Sequence, residues 1–352
     1  GLEDEGLGDI AGRLVNDEGL NGLEKLSEKE IQYRSGFKKF EGKIYLPKFV
    51  IQEKDSWRDL IFDVDILGGI DWSKVDISAF ADLTLEESRN KDRELSFGLS
   101  KEKDQLLDQK VISEIEGTLQ IDEAFLARQI SEIVPNPWLC YELGDKAIQL
   151  LEKKYDRKRI SSNFVFVIEE LKKLLAKERD KQAEAVFRDL VHKKQALFFL
   201  IREKGGYLLP SRIPVKSNKP MIHEKTNGQL QRSLFDYVPE ENVNDLEKAV
   251  AIYFDEQEKL LWWYRNMSRQ HYHIQGWKRN KIYPDFLAAE KIEPEVEEFD
   301  KIFVIETKGI HLKNDDTKYK QDVFALCNEL GALKAWKDLF PDFADQSFDF
   351  QV

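Results

Sequence analysis

Residues 283–308 carry the feature that decides the fold, and they read YPDFLAAEKIEPEVEEFDKIFVIETK. Two apolar runs are separated by an acidic insert that contains a proline. Asp285 lies at the start of the first run, and Glu306 lies at the end of the second. Side chains two positions apart in a strand share a face, so Glu306 and Lys308 are predicted to point the same way. If the two runs pair, Asp285 joins them, and two carboxylates and a cation meet at one point. Such a set suits a divalent metal ion that acts on a phosphate.

Helices are predicted on both sides of this stretch. Asn244 is predicted to cap the first helix, with Glu247 at the third position of a capping box, and apolar spacing extends this helix through Leu261. The second helix is predicted to follow caps at residues 315–317 and to end at Gly331. Between the helices we expect three strands, at residues 272–277, 281–288 and 301–308. The predicted fold class is α/β, with a mixed sheet flanked by helices.

The chain before residue 206 is predicted to hold a β-containing region and then a helical one. Residues 60–67 alternate between apolar and polar side chains, which predicts a strand with Asp63 and Asp65 on one face. These two carboxylates are either a functional pair or, as we favour, the solvated face of a half-buried strand. Four helices are expected, at residues 121–133, 144–155, 163–176 and 183–201. The predicted organisation is a linker or domain remnant (1–39), a strand-rich spacer region (40–115), a helical region (116–205) and a C-terminal domain (206–352).

The charge pattern points in two directions. A net charge of −12 disfavours a general nucleic-acid binder. Residues 259–281, however, combine six basic and five aromatic residues with no acidic one. This mixture is compatible with a local nucleic-acid track, in which aromatic rings and cations alternate. The alternative is a buried helix end and strand whose cations reach out to solvent.

The cysteines and histidines narrow the chemistry further. Cys140 and Cys327 are the two cysteines, which excludes a disulfide scaffold and favours a reducing compartment, so we expect a cytoplasmic protein. The apolar runs are far too short to cross a membrane. His271 and His273 would share a face of a strand, as zinc or copper ligands do, but ordinary strand residues are the favoured interpretation. The sequence starts at Gly1 with no initiator methionine, so we expect a piece of a longer protein.

The ordered set of Glu247 on a helix, Y-P-D with Asp285, and I-E-T-K with Glu306 and Lys308 resembles the PD-(D/E)xK nuclease superfamily. More narrowly, the segments LEKAVA, WWYRN, QGW, YPDF, ETKG and DTKYK resemble the C-terminal nuclease region of the Res subunit of Type III restriction enzymes and of related helicase–nuclease proteins. The similarity covers residues 235–331. It implies a restriction-endonuclease-like mixed sheet, preceded by a spacer region.

The resemblance implies a Mg²⁺-dependent deoxyribonuclease, with Mn²⁺ as a possible substitute. Asp285, Glu306 and the carbonyl of Thr307 would hold the ion, which polarises the phosphate and lowers the pKa of the attacking water. Lys308 would hold that water or offset charge on the phosphate. Glu247 would orient a metal-bound water or carry a second ion.

The remaining roles fall on the second helix and on the basic track. Lys320 is the candidate for a phosphate contact, and Gln321 and Tyr319 compete with it for that role. The expected DNA-contacting residues are Trp263, Arg265, Lys278 and Arg279.

The partners implied are double-stranded DNA, a methyltransferase or specificity subunit, and an ATP-dependent motor. Because no G-x-x-x-x-G-K-[ST] phosphate loop occurs in the sequence, we expect the motor to lie outside this chain. The alternative from another class is a non-catalytic scaffold that binds DNA or a partner protein and carries an inactive nuclease fold.

Overall fold

The computed structural model describes residues 29–54, 56–85, 121–200, 207–215, 219–223, 225–240, 243–267, 271–307, 315–332 and 347–352. These residues form a mixed α and β structure, as predicted. The chain divides into two compact units. The first consists of Gly1–Lys48, Phe198–Ile274 and Ile282–Val352, and the second of Phe49–Leu197 and Gln275–Lys281. The predicted boundary at residue 205 lies near the change of unit after residue 197, but both units are discontinuous in sequence.

The described residues form eleven strands and six α-helices. The strands are β1 (Lys29–Gln32), β2 (Tyr45–Leu46), β3 (Lys48–Gln52), β4 (Trp57–Asp59), β5 (Ala196–Phe199), β6 (Tyr207–Leu208), β7 (Arg212–Val215), β8 (Leu260–Arg265), β9 (Phe286–Lys291), β10 (Phe299–Ile305) and β11 (Ser347–Gln351). The helices are α1 (Glu123–Ile130), α2 (Pro137–Glu152), α3 (Arg157–Ser162), α4 (Phe164–His192), α5 (Asp245–Glu256) and α6 (Asp315–Ala332). None of these helices combines the length and the apolar character that crossing a bilayer requires.

The first unit is built on a four-stranded mixed sheet in the order β11–β10–β9–β8. The pairs β8–β9 and β9–β10 are antiparallel, and β10–β11 is parallel. Helix α5 precedes β8 and contacts it, and α6 connects β10 to β11 and contacts β11. A parallel neighbour needs a crossover, and α6 lies in the connection that supplies it. Two further pairs, β1–β7 and β2–β6, belong to the same unit.

The core of this sheet depends on large residues that face small ones. Trp262 and Trp263 of β8 are both fully buried, although neighbouring side chains of a strand point to opposite faces. Ala289 and Ala288 of β9 lie directly across from them, and both alanines are buried as well. A small side chain opposite each indole leaves the volume that the ring fills. Burial on both faces accounts for the continuous apolar run of β8, which lacks the alternation of a half-exposed strand.

The second unit contains α1 to α4 and the antiparallel pair formed by β4 and by β3 from Phe49 onward. Asp122, Asn136 and Asp156 cap α1, α2 and α3 by accepting backbone N–H groups of the first turn. Residues 163–176 and 183–201, predicted as two helices, instead form the single helix α4 followed by β5. The chain turns between these two elements at Lys194, whose φ is 58°. The prediction was wrong at this end because β-forming and helix-forming apolar runs of this length look alike.

A second correction concerns residues 60–67, which were predicted as a strand. Residues Phe62–Ile66 form a π-helical turn instead. Asp65 accepts the backbone N–H of Ile61 at 2.8 Å, which fixes the chain in a tight local turn. Phe62 and Ile66, four positions apart, are the buried pair, and Val64 is 62% exposed. The two-residue period of a strand was therefore the wrong pattern for this segment, whose buried residues are spaced as in a helical turn.

The third correction concerns the strands before Asp285. Residues 272–277 and 281–288 were predicted as strands, but of the two, only the second contributes to the sheet, through β9. The two predicted segments pair with each other through one isolated antiparallel β-bridge, between Ile274 and Ile282. The strand that fills the predicted place is β8, and helix α5 ends before it at Glu256 rather than continuing through Leu261.

Candidate active site

Asp285 lies immediately before β9, at the point where the polypeptide enters the sheet. Pairing of Phe286 with Ile305 places it beside the end of β10, so the prediction that the two apolar runs pair is confirmed. The backbone N–H and the hydroxyl of Thr307 both donate to Asp285 Oδ2, at 2.7 and 2.6 Å. The carboxylate is therefore held by the residue that follows Glu306 in sequence.

The surroundings of Asp285 disfavour its ionised form. Burial raises the pKa of its carboxyl above the usual value, and the negative charge of Glu247 raises it further. The two hydrogen bonds from Thr307 and the positive charge of Lys320 act in the opposite direction but do not cancel the rise. Glu247 and Lys320 are thus within electrostatic reach of Asp285.

Glu306 is a buried carboxylate, with only 5% of its surface exposed. Its Oε1 accepts a hydrogen bond from Lys320 Nζ at 2.7 Å, and Lys320 lies on α6. Lys320 Nζ is also 3.5 Å from Asp316 Oδ2, one turn earlier on the same helix. The backbone N–H of Glu306 donates to the carbonyl of Gln351, which ties this residue to β11. Strand and helix thus fix the carboxylate and its ammonium partner independently.

Glu247 is held from two sides. Asn244 caps α5 as predicted, since its Oδ1 accepts the N–H of Glu247 at 2.9 Å. Asn244 Nδ2 donates to Glu247 Oε1 at 3.0 Å, and Arg265 Nη2 donates to Oε2 at 2.8 Å. The side chains of Arg265 and Glu247 are only 13% and 14% exposed. Most of the Arg265 side chain is thus buried against Glu247, and its contact with DNA stays a prediction.

Trp263 is the DNA-contact candidate that the structure corrects. Its side chain is fully buried, and its indole N–H donates to Asp255 Oδ1 at 3.1 Å. A ring in this position packs in the core and presents no face to a nucleic acid. Lys278 and Arg279, the other two candidates, belong to the second unit, where Arg279 pairs with Asp63 at 2.9 Å. Their contact with DNA stays a prediction.

Asn266 is a residue that sequence reasoning missed. Its backbone N–H donates to the carbonyl of Asp285, and its side-chain Nδ2 donates to the carbonyls of Pro284 and Tyr272, each at 2.8 Å. It is 4% exposed. One amide therefore fixes the turn that delivers Asp285 to the sheet. The available signal was a polar residue directly after the buried aromatic run of β8.

The remaining candidate site residues are Lys308 and three neighbours on α6. Lys308 lies outside the residues that the structure describes. Of the three residues that compete on α6, Tyr319 is 4% exposed, Gln321 is exposed, and Lys320 donates a hydrogen bond to Glu306.

His271 and His273 both bond neighbouring groups of the protein. His271 accepts the N–H of Met267 at 3.2 Å and also bonds the hydroxyl of Tyr264 through Nδ1. Burial, and after it the charge of Arg265, lowers the pKa of His271 to about 4, so the ring is neutral at pH 7. His273 Nδ1 lies 3.3 Å from the carbonyl of His271. Neither ring is aimed at a shared metal position in these contacts.

Asp285 and Glu306 are the side chains of this cluster that could hold a divalent ion. Within the described residues, no three side chains of His, Cys, Asp or Glu converge closely enough to be a metal-binding group by themselves. Mg²⁺ is usually bound through one or two carboxylates and keeps several waters. Asp285 and Glu306, with the carbonyl of Thr307, match that requirement in type and number.

Comparison with known proteins gives no assignment. A scan of protein-family models and searches of curated proteins and of solved structures found no match to the chain. What the cluster can do chemically therefore follows from its own side chains.

Proposed function

We propose that this chain is a Mg²⁺-dependent nuclease module that hydrolyses DNA phosphodiester bonds within a restriction or phage-defence helicase–nuclease. One observation carries the proposal. Four elements deliver Glu247 (α5), Asp285 (before β9), Glu306 (after β10) and Lys320 (α6) to one cluster, joined by the contacts and charge interactions described above. The order α5–β8–β9–β10–α6–β11 and its mixed sheet support a restriction-endonuclease-like fold for this unit.

The balance of charge supports a site for a divalent cation. Three carboxylates and one lysine lie in this cluster, and Arg265 is committed to Glu247. Burial disfavours the ionised form of Asp285, and an entering cation removes that penalty. When bound, Mg²⁺ (or Mn²⁺) would supply positive charge to the phosphate and lower the pKa of the attacking water.

The chain's own residues then have distinct roles. Asp285 and Glu306 would hold the ion together with the Thr307 carbonyl, and Arg265 keeps Glu247 oriented in the same cluster. Lys320 contacts the phosphate, and Lys308 holds the water or offsets charge on the phosphate. Asn266 acts through Asp285, whose backbone it positions.

The acidic chain supports a dependence on other components. A net charge of −12 repels the DNA backbone, so we propose that an ATP-dependent motor and a methyltransferase or specificity subunit bring the duplex to this site.

Plasmid cleavage tests the proposal. Supercoiled DNA is incubated with the chain and Mg²⁺ or Mn²⁺, beside Asp285→Ala, Lys308→Ala and the control Asp63→Ala, whose carboxylate lies in the second unit and is 58% exposed. We expect the wild type and the control to nick the plasmid and the two site variants to be inactive. Cleavage that survives both site substitutions would show that another centre is responsible. Mn²⁺ binding is measured in parallel by calorimetry, and a wild type that neither cleaves nor binds Mn²⁺ overturns the proposal.

A further inference from the structure

We infer that Lys320 takes the place of the divalent ion in the metal-free protein, and that its ammonium moves from Glu306 to Asp316 when the ion enters. The inference rests on the proposed nuclease function, and it assigns to Lys320 a second role before any contact with phosphate. The site would thus alternate between an internal cation and an external one.

The geometry around Glu306 places the two cations in competition for one carboxylate. Lys320 Nζ lies 2.7 Å from Glu306 Oε1, which is a full charge-assisted hydrogen bond. A magnesium ion would lie about 2.0–2.1 Å from the same carboxylate. Two positive centres on one buried carboxylate repel each other strongly, because the surroundings screen them less than water does. Binding of the ion therefore favours withdrawal of Lys320 from Glu306.

The structure provides the position to which Lys320 withdraws. Asp316 Oδ2 lies 3.5 Å from Lys320 Nζ, on the same helix and four residues earlier. The Asp316 side chain is 54% exposed, whereas the Lys320 side chain is 19% exposed. A short swing of a flexible four-carbon stem carries the ammonium from the buried carboxylate to the exposed one. Lys320 then stays within one helical turn of the cluster, where a bound phosphate can meet it.

Arg265 shows why Lys320 is the cation that moves. Arg265 and Glu247 are exposed by only 13% and 14%, and the pair has a planar guanidinium donor. Glu247 is also bonded by Asn244, so its position is fixed without further ions. Lys320, by contrast, sits between a buried and an exposed carboxylate. Exchange at Glu306 leaves the Arg265 pair intact.

The test compares Mn²⁺ affinity with cleavage in the same variants. Lys320→Met removes the competing charge and keeps the stem, and Lys320→Gln serves as a second variant should the first fold poorly. Lys172→Met is the matched control, since Lys172 forms a 2.7 Å pair with Glu132 in the second unit. Affinity is measured by calorimetry with Mn²⁺ alone, and folding by circular dichroism.

We expect Lys320→Met to bind Mn²⁺ about tenfold more tightly than the wild type, since a neighbouring charge alters a carboxylate's affinity for a cation by at least that factor. Cleavage should fall in the same variant, so affinity and activity change in opposite directions. Asp316→Asn should weaken Mn²⁺ binding, because Lys320 loses its alternative partner, and Lys172→Met should bind as the wild type does.

Two outcomes separate failure of this inference from failure of the proposed function. If the wild type binds Mn²⁺ through Asp285, as Asp285→Ala would reveal, but Lys320→Met and Lys320→Gln bind no more tightly, the exchange is refuted and the metal site stands. If the wild type does not bind Mn²⁺, the nuclease proposal fails and the exchange fails with it.

Discussion

The sequence draws attention to one pair of acidic residues in each unit, Asp285 and Glu306 in the first and Asp63 and Asp65 in the second. The surroundings of the two pairs differ. In the second unit, Arg58 donates to both oxygens of Asp65, at 2.7 and 2.6 Å. Burial disfavours ionisation of Asp65, but the bonds from Arg58 and from Ile61 N–H outweigh it, and the pKa of Asp65 is lowered. In the first unit, the pKa of Asp285 is raised, since burial and a neighbouring carboxylate prevail over the donors of Thr307.

The difference shows how a buried carboxylate is recognised as structural or as available for chemistry. A guanidinium fork satisfies both oxygens and leaves no demand for another cation. Thr307 donates to Asp285 and Lys320 donates to Glu306, and burial still holds the pKa of Asp285 above its usual value. The side chains of Asp65 and Glu306 are 9% and 5% exposed, so burial alone does not distinguish the two places.

The largest difference between the two carboxylate pairs is expected in the rate of DNA cleavage. Glu306→Gln keeps the shape of the side chain and removes its charge, and it should slow plasmid cleavage by about a thousandfold, equivalent to the several kcal/mol that metal-assisted charge stabilisation supplies. Asp65→Asn is the control in the second unit and should cleave at the wild-type rate. Single-turnover nicking assays measure both. Equal losses in the two variants would mean that the carboxylate pairs are not functionally different.

Stability provides the next contrast. Asp65→Asn should lower the free energy of unfolding by about 2 kcal/mol, because a charged hydrogen-bond partner of Arg58 is lost. Asp285→Asn should not lower it, since the amide oxygen can still accept from Thr307 and the unfavourable buried charge is gone. Urea unfolding at pH 7 gives both values. A destabilised Asp285→Asn beside an unchanged Asp65→Asn would reverse our interpretation.

The pH dependence of these two variants should have opposite signs. The folded-state pKa of Asp65 is lowered, so its stabilising effect is present above the unfolded pKa of about 3.9 and is lost as pH falls through the folded value. The folded-state pKa of Asp285 is raised, so its favourable contribution is present below the unfolded pKa and is lost as pH rises through the folded value. As pH rises from about 3 to 6, the melting temperature of the wild type should increase relative to that of Asp65→Asn. Over the same range it should decrease relative to that of Asp285→Asn. Parallel curves would contradict both assignments.

The smallest change in stability is expected at Asp63, the other member of the acidic pair in the second unit. Asp63 and Arg279 are 58% and 55% exposed, and solvent screens their charges. Asp63→Asn should change the free energy of unfolding by less than about 1 kcal/mol. A loss as large as that of Asp65→Asn would show that the pair is more tightly coupled than its exposure indicates.

Local signals in the sequence were enough to predict part of the site. Asn244 as the cap of α5, the pairing of the runs that hold Asp285 and Glu306, and Lys320 on the following helix are each encoded within a few neighbouring residues. The charge cluster was therefore approachable from the sequence, although Lys308 lies outside the described residues.

Other features depend on contacts that no local pattern reveals. Arg265 and Trp263 look like a surface track in sequence, but the alanines of β9 make room for the indole and Glu247 takes the guanidinium. Asn266 bonds the carbonyl of Pro284, eighteen positions away. The turn at Asp65 arises from a side chain that competes with the strand ladder for a backbone N–H.

The discontinuity of the two units has a consequence for how the protein is made. Residues 49–197 leave the ribosome as one continuous run, but the second unit also needs residues 275–281, whose first member comes 78 positions later (275 − 197). The separation is larger for strand β1, since its partner β7 begins 180 positions after β1 ends (212 − 32). Domains that are contiguous in sequence can fold one after another during synthesis. Here a nascent chain that stops short of residue 281 is left with both of its units unfinished.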